Sequence, residues 1–145
     1  PASMRMEMQT LGGVRIINDA YNSNPDSLLA ALETMESFPT GGKRIAVLGD
    51  MAELGQASES AHVEAGRFAA RLGLDGLVAV GQWADKMVRA AQEAGLANVA
   101  AFDDITVAGR AMAAKLGPGD VVLIKGSRAA KMERIIEALS EGMKT

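Results

Sequence analysis

RIINDAYNSNPDSLLAALETM, residues 15–35, decides how the rest of the chain is read. Val14, Ile16 and Ile17 form an apolar, β-branched run of the kind that builds a buried strand, and it ends abruptly in Asn18 and Asp19. Beyond the polar stretch, Leu28, Leu32 and Met35 recur at helical spacing. A strand that passes through a polar turn into a helix is the first half of a βαβ unit. Its turn sits where open α/β sheets bind ligands.

Working outward, the same alternation repeats. Short apolar runs lie at 45–48 (IAVL), 76–80 (GLVAV), 98–102 (NVAAF) and 121–124 (VVLI), and helical patterns are expected near 26–38, 58–72, 83–94, 104–116 and 129–141. Ala61, Ala65, Phe68 and Leu72 share one helical face. Residues 5–10 alternate, with Met6, Met8 and Thr10 on one side, and Gly12-Gly13 then precedes Val14, which predicts an N-terminal β-hairpin. The expected fold is α/β, Rossmann-like and doubly wound, a mostly parallel sheet covered by helices on both faces, in a single domain over residues 1–145. The abrupt start in strand-like sequence, without an initiating methionine, predicts a piece of a longer protein.

Composition narrows the function. The chain has 145 residues, is 48% hydrophobic, and carries 15 basic and 18 acidic residues for a net charge of -3. With no basic block, nucleic acid is not an expected partner. Zero cysteines and a single histidine, His62, exclude disulfides and thiolate metal sites and leave little for zinc. No apolar run approaches the ~20 residues of a membrane span, and a cytoplasmic location is expected. The nine methionines are scattered, as core-filling residues are.

The carboxyl ends of the strands carry the candidate chemistry. Asp19 to Asn24 follow one, Gly49-Asp50-Met51 another, Gly81-Gln82 a third and Lys125-Gly126-Ser127-Arg128 a fourth. Asn24, before Pro25 and Asp26, reads first as a helix N-cap. Capping does not account for Asp19, whose desolvation beside an apolar strand asks for a donor from backbone, lysine or ligand. Asp50 ends a strand in a turn and faces the same crevice. Lys125-Gly126-Ser127 combines a cation, a glycine open to close approach and a helix-capping serine, a set suited to a carboxylate or phosphate. His62 borders its helix's apolar face and reads as a satisfied structural residue. Neither G-x-x-x-x-G-K-[ST] nor G-x-G-x-x-G occurs, and no nucleophile triad can be assembled. The domain is expected to hold ligands without catalytic or metal-binding residues of its own.

NDAYNSNPDSL (18–28), VLGDMAELG (47–55), His62 followed by VEAG, and LIKGSRAAKME (123–133) together resemble the C-terminal domain of the Mur ligases, from about Arg5 to Leu139. GDMAELG and KGSR are closest to members that add D-alanyl-D-alanine to UDP-N-acetylmuramoyl-tripeptide. The resemblance implies one of three domains of an ATP-dependent, peptidoglycan-synthesising ligase, working through an acyl phosphate, with ATP and Mg2+ bound mainly by a central domain outside these residues. It implies nucleotide contacts for Arg5, Asp19 and Asn24. Tyr21, Asn22 and Ser23 would line the seam between ATP and the amine substrate; Ser23 stands where alanine is common. Asp50, Met51, Lys125, Gly126, Ser127 and Arg128 would face the incoming dipeptide, with Lys125 or Arg128 pairing its carboxylate. His62 fits the pattern without an assigned step. A phosphoacceptor receiver domain is a weaker alternative, since Gly81 lacks the expected hydroxyl and glycine, not proline, follows Lys125. A folylpolyglutamate-type ligase is another, disfavoured by DMAELG.

Overall fold

The β-branched segment at residues 14–19 pairs on both edges, and the sheet grows from it. The computed structural model describes residues 7–21 and 23–143. In chain order the elements are β1 (Glu7–Leu11), β2 (Val14–Asp19), α1 (Pro25–Glu36), β3 (Arg44–Gly49), a 3-10 turn (Gly55–Ala57), α2 (Ser58–Arg71), β4 (Gly76–Val80), α3 (Ala84–Glu93), β5 (Val99–Phe102), α4 (Ile105–Ala113), β6 (Val121–Lys125), a second 3-10 turn (Arg128–Ala130) and α5 (Arg134–Met143). They form a six-stranded sheet in the order β1-β2-β6-β3-β4-β5, in which β1 and β2 are antiparallel and the other neighbours parallel.

Side-chain alternation along the strands splits the core in two. Ile17, Ala46, Leu48, Leu77 and Leu123 point to one face, where Leu28, Leu32 and Met35 of α1, Ala65 and Ala69 of α2, and Met87 of α3 cover them. Ile16, Ile45, Val47, Val122 and Ile124 point to the other, beneath Ala108 and Met112 of α4 and Ile135 and Leu139 of α5. Each large side chain so buried contributes about 1.5–3 kcal/mol. α1 begins in a capping box: Asn24 Oδ1 accepts from Ser27 N at 2.9 Å and Ser27 Oγ accepts from Asn24 N at 3.1 Å, with Pro25 in the first turn.

The doubly wound, mostly parallel sheet with its N-terminal antiparallel pair is the architecture expected from the sequence. Details differ. β1 is an edge strand, and Met8 on it remains 52% exposed. Arg5 and Met6 lie outside the described residues. The helix expected at 129–141 starts at Arg134, because Lys131 takes a left-handed conformation, φ 54°, that breaks it from the 3-10 turn before. Met35, Met51, Met87, Met112 and Met132 are buried, in keeping with their reading as core residues.

α2 and α3 approach closely at Gly66, where an added Cβ would collide with the Met87 carbonyl oxygen. Gly→Ala in a free helix gains about 1 kcal/mol. Here the sign reverses. Gly66→Ala is expected to lower stability by about 1–3 kcal/mol, read as a lower urea midpoint; a raised midpoint would show that the helices are not held at this distance.

Candidate functional site at the carboxyl ends of β2, β6 and β3

Parallel pairing in register sets Asp19 of β2 directly beside Lys125 of β6. Neighbouring strands lie about 4.8 Å apart, so the two side chains meet on one face. Lys125 Nζ donates to Asp19 Oδ2 at 2.8 Å, with side chains only 2% and 7% exposed. Water is excluded from both ions, and their mutual attraction offsets that desolvation. Asp19 Oδ1 is buried and has no hydrogen-bond partner among the described residues. An unsatisfied carboxylate oxygen is costly, and a donor from a ligand would relieve it.

The turn after β3 is tied from three directions. The Asp50 carboxylate accepts from Gln82 N at 2.9 Å and Trp83 N at 3.1 Å, so it caps the start of α3 from a different strand. Gly81, at φ 126°, leaves room for it. The Asp50 carbonyl accepts from Ser127 N at 2.9 Å, which joins this turn to the segment after β6. Met51 N donates to His62 Nε2 at 3.0 Å, and His62 Nδ1 lies 2.6 Å from the Ser58 carbonyl oxygen. A carbonyl only accepts, so Nδ1 carries the proton and Nε2 is bare. His62 is fully buried and stacks on Trp83, ring centroids 5.6 Å apart. A cavity of about 350 Å³ opens here, lined among others by Asp50, Met51, Glu53, Trp83 and Ser127.

A second cavity, about 230 Å³, lies on the β1–β2 side, where Tyr21, Asn18 and Glu133 meet Arg128. The Arg128 guanidinium sits 5.3 Å from the Tyr21 ring centroid, a cation–π contact that orients it. The 127–130 segment runs between the two cavities, with Ser127, Ala129 and Ala130 lining the first and Arg128 the second.

Of the residues singled out in the sequence, Asp19, Asp50, Met51, Tyr21 and the 125–128 segment come to adjacent strand ends. Several of them are also engaged within the protein. Lys125 is turned to Asp19 and supplies that carboxylate with a lysine donor, one of the three kinds of donor the sequence left open. Space at Gly126 is filled by the Met132 side chain, which also packs on Gly49. Ser127 makes no side-chain cap bond. Ser23 is buried, and Asn24 spends its Oδ1 on the cap of α1. Arg5 and Asn22 lie outside the described residues. Sequence reasoning missed Trp83 and Glu53. Trp83, the sole tryptophan, follows Gly81-Gln82 directly after a strand, and that position was the available signal. Among the described residues no group of three carboxylate or imidazole side chains is placed to hold a metal ion.

Residues 4–128 match the family model described as Mur ligase, glutamate ligase domain. The chain is 35% identical over 143 residues to the UDP-N-acetylmuramoyl-tripeptide--D-alanyl-D-alanine ligase of Bacillus subtilis, covering 95% of this chain and 31% of that protein. It superposes on the MurF ligase of Thermotoga maritima in complex with ADP with a TM-score of 0.80 and 30% identity, covering 97% of this chain and 31% of that one. MurF from Acinetobacter baumannii gives a TM-score of 0.85 at 30% identity, over 94% of this chain and 30% of that one. The chain thus spans under a third of the length of these relatives.

Lys125→Met leaves the Asp19 carboxylate buried without its cation. It is expected to cost about 3–5 kcal/mol, and adding Asp19→Asn should recover much of that loss. Urea unfolding of the four proteins of this cycle checks the coupling; losses that simply add would show that the two side chains are independent.

Proposed function

This chain belongs to the Mur ligase family, and from that premise we propose that it is the amine-substrate domain of a longer, cytoplasmic, ATP-dependent ligase that joins D-alanyl-D-alanine to UDP-N-acetylmuramoyl-tripeptide. The observation that carries this reading is the match of 95% of the chain to a relative bearing that activity in its name. The same similarity removes the receiver reading and favours this acceptor over a folate one. Among the described residues, no helix is long and apolar enough to cross a membrane.

In this reading ATP phosphorylates the tripeptide's terminal carboxylate, the dipeptide amine attacks the resulting acyl phosphate, and phosphate leaves as the amide forms. The chain's own residues bind and orient. The unpartnered Asp19 Oδ1 accepts from a hydroxyl of the nucleotide, and Lys125 holds that carboxylate in place. Arg5 and Asn24 complete the nucleotide side, and Tyr21, Asn22 and Ser23 line the seam between it and the amine substrate. The cavity at Asp50, Met51 and Ser127 receives the dipeptide, with its carboxylate directed toward Arg128, which lies in the neighbouring cavity against Tyr21. Magnesium and the phosphate-gripping loop belong to a central domain. Closure of this domain over that one excludes water, which would otherwise hydrolyse the acyl phosphate.

The 145-residue chain alone is expected to show no ATP hydrolysis and no amide formation. Substituted for the matching segment of the Bacillus subtilis ligase, it should support ligation of D-alanyl-D-alanine and not of glutamate or diaminopimelate. A folded chimera that forms no product, or turnover by the isolated chain, would overturn the reading.

A further inference from the structure

His62 takes no part in binding or chemistry so far, yet its ring is held on every side. It is wholly buried, and both ring nitrogens are committed: Nδ1–H donates to the Ser58 carbonyl within α2, and Nε2 accepts from Met51 N at 3.0 Å. Only one tautomer of the neutral ring satisfies both bonds. Trp83, at the start of α3, stacks on the ring and fixes its plane. The imidazole therefore transfers the position of two packed helices to one backbone amide.

That amide belongs to the segment 50–54, which has no regular secondary structure. Glu53 adopts φ 62° there, a left-handed conformation seldom taken by a residue with a side chain. The segment is fastened at Asp50 by the bonds to Gln82, Trp83 and Ser127, and Met51 is its bond to α2. Asp50, Met51 and Glu53 line the cavity; His62 does not. The nucleotide side, by contrast, is built on β2 and the capped start of α1, with which His62 shares no hydrogen bond among those described.

We infer that His62 is a positioning residue for the amine substrate: as the Nδ1–H tautomer it holds the Met51 amide, and through it the 50–54 segment, in the shape that receives D-alanyl-D-alanine. The inference rests on the proposed function for the identity of the ligand, and on the hydrogen bonds alone for the positioning. It makes His62 selective. Loss of the Nε2 acceptor loosens the dipeptide cavity and leaves the nucleotide side untouched.

Two substitutions separate the two ring nitrogens. The Gln Oε1 lies as many bonds from Cβ as Nε2, so His62→Gln keeps an acceptor for Met51. Asn reaches only as far as Nδ1, so His62→Asn keeps the Ser58 bond and loses the Met51 one. In the full-length ligase carrying these residues, His62→Asn is expected to raise KM for D-alanyl-D-alanine about tenfold, with kcat and KM for ATP within about twofold of the parent. His62→Gln should restore KM. Equal changes in both KM values, no change in either, or Asn and Gln behaving alike would overturn the inference. Should His62→Asn not fold, nitrogen NMR of this chain decides: a bare Nε2 and a slowly exchanging Met51 amide are expected, and an Nε2–H tautomer or a freely exchanging amide would contradict it. Absence of D-alanyl-D-alanine ligation by the parent enzyme would instead defeat the proposed function and leave the NMR result standing.

Discussion

Insertion of the last strand, β6, between β2 and β3 is the constraint from which the rest of the site follows. A strand that enters the middle of a parallel sheet has two neighbours in register, and its carboxyl end delivers side chains to both. Lys125 meets Asp19 on one side, and Ser127 N meets the Asp50 carbonyl on the other. Groups 106 residues apart in sequence become hydrogen-bonded partners. Burial on both faces makes the register hard to slip, because a shift by one residue would move Val122 and Ile124 to the helix layer that now receives Leu123.

Tight glycine packing reinforces this arrangement. Gly49, the last residue of β3, and Gly126, directly after β6, sit side by side, and the Met132 side chain lies across both. A side chain at either position would push Met132 away, and with it the 3-10 turn that carries Arg128. The glycine after Lys125 thus serves the protein's own packing, and the residues that border the two cavities lie one step further along, at Ser127 to Ala130. The buried Asp19–Lys125 pair is a poor way to gain stability compared with apolar packing. Its value is a fixed carboxylate with one oxygen left over.

Much of the fold was legible because period and burial agree. Residues 45–48 and 121–124 are continuous apolar runs, as strands buried on both faces must be, and Leu28, Leu32 and Met35 lie on the inner face of α1. Boundaries that depend on a single backbone angle were not legible: Lys131 at φ 54° ends a helical pattern that its composition would continue. The site was legible in outline, since charged and amide residues at strand ends are visible in one dimension. Their partners were not. Nothing local to Lys125 says that its neighbour will be an acid on another strand, and nothing near Asp50 says that its carboxylate will cap α3. Both follow from strand order, which pattern alone does not reveal. His62 stood out only as a lone imidazole, and its tautomer depends on a carbonyl in its own helix and an amide eleven residues away.

The loops after β2, β3 and β6 converge at one end of the sheet, where the proposed ligands would bind. Amide chemical-shift mapping of this chain during titration with ADP and with D-alanyl-D-alanine tests it most directly. Changes are expected to be confined to residues around Asp19 to Ser27, Asp50 to Leu54, Gln82 and Trp83, and Lys125 to Ala130, with the dipeptide favouring the last three groups. Changes centred instead on the cavity at the opposite end of the strands, about 380 Å³ and lined by Lys43, Gly76, Asn98 and Lys115, would contradict it.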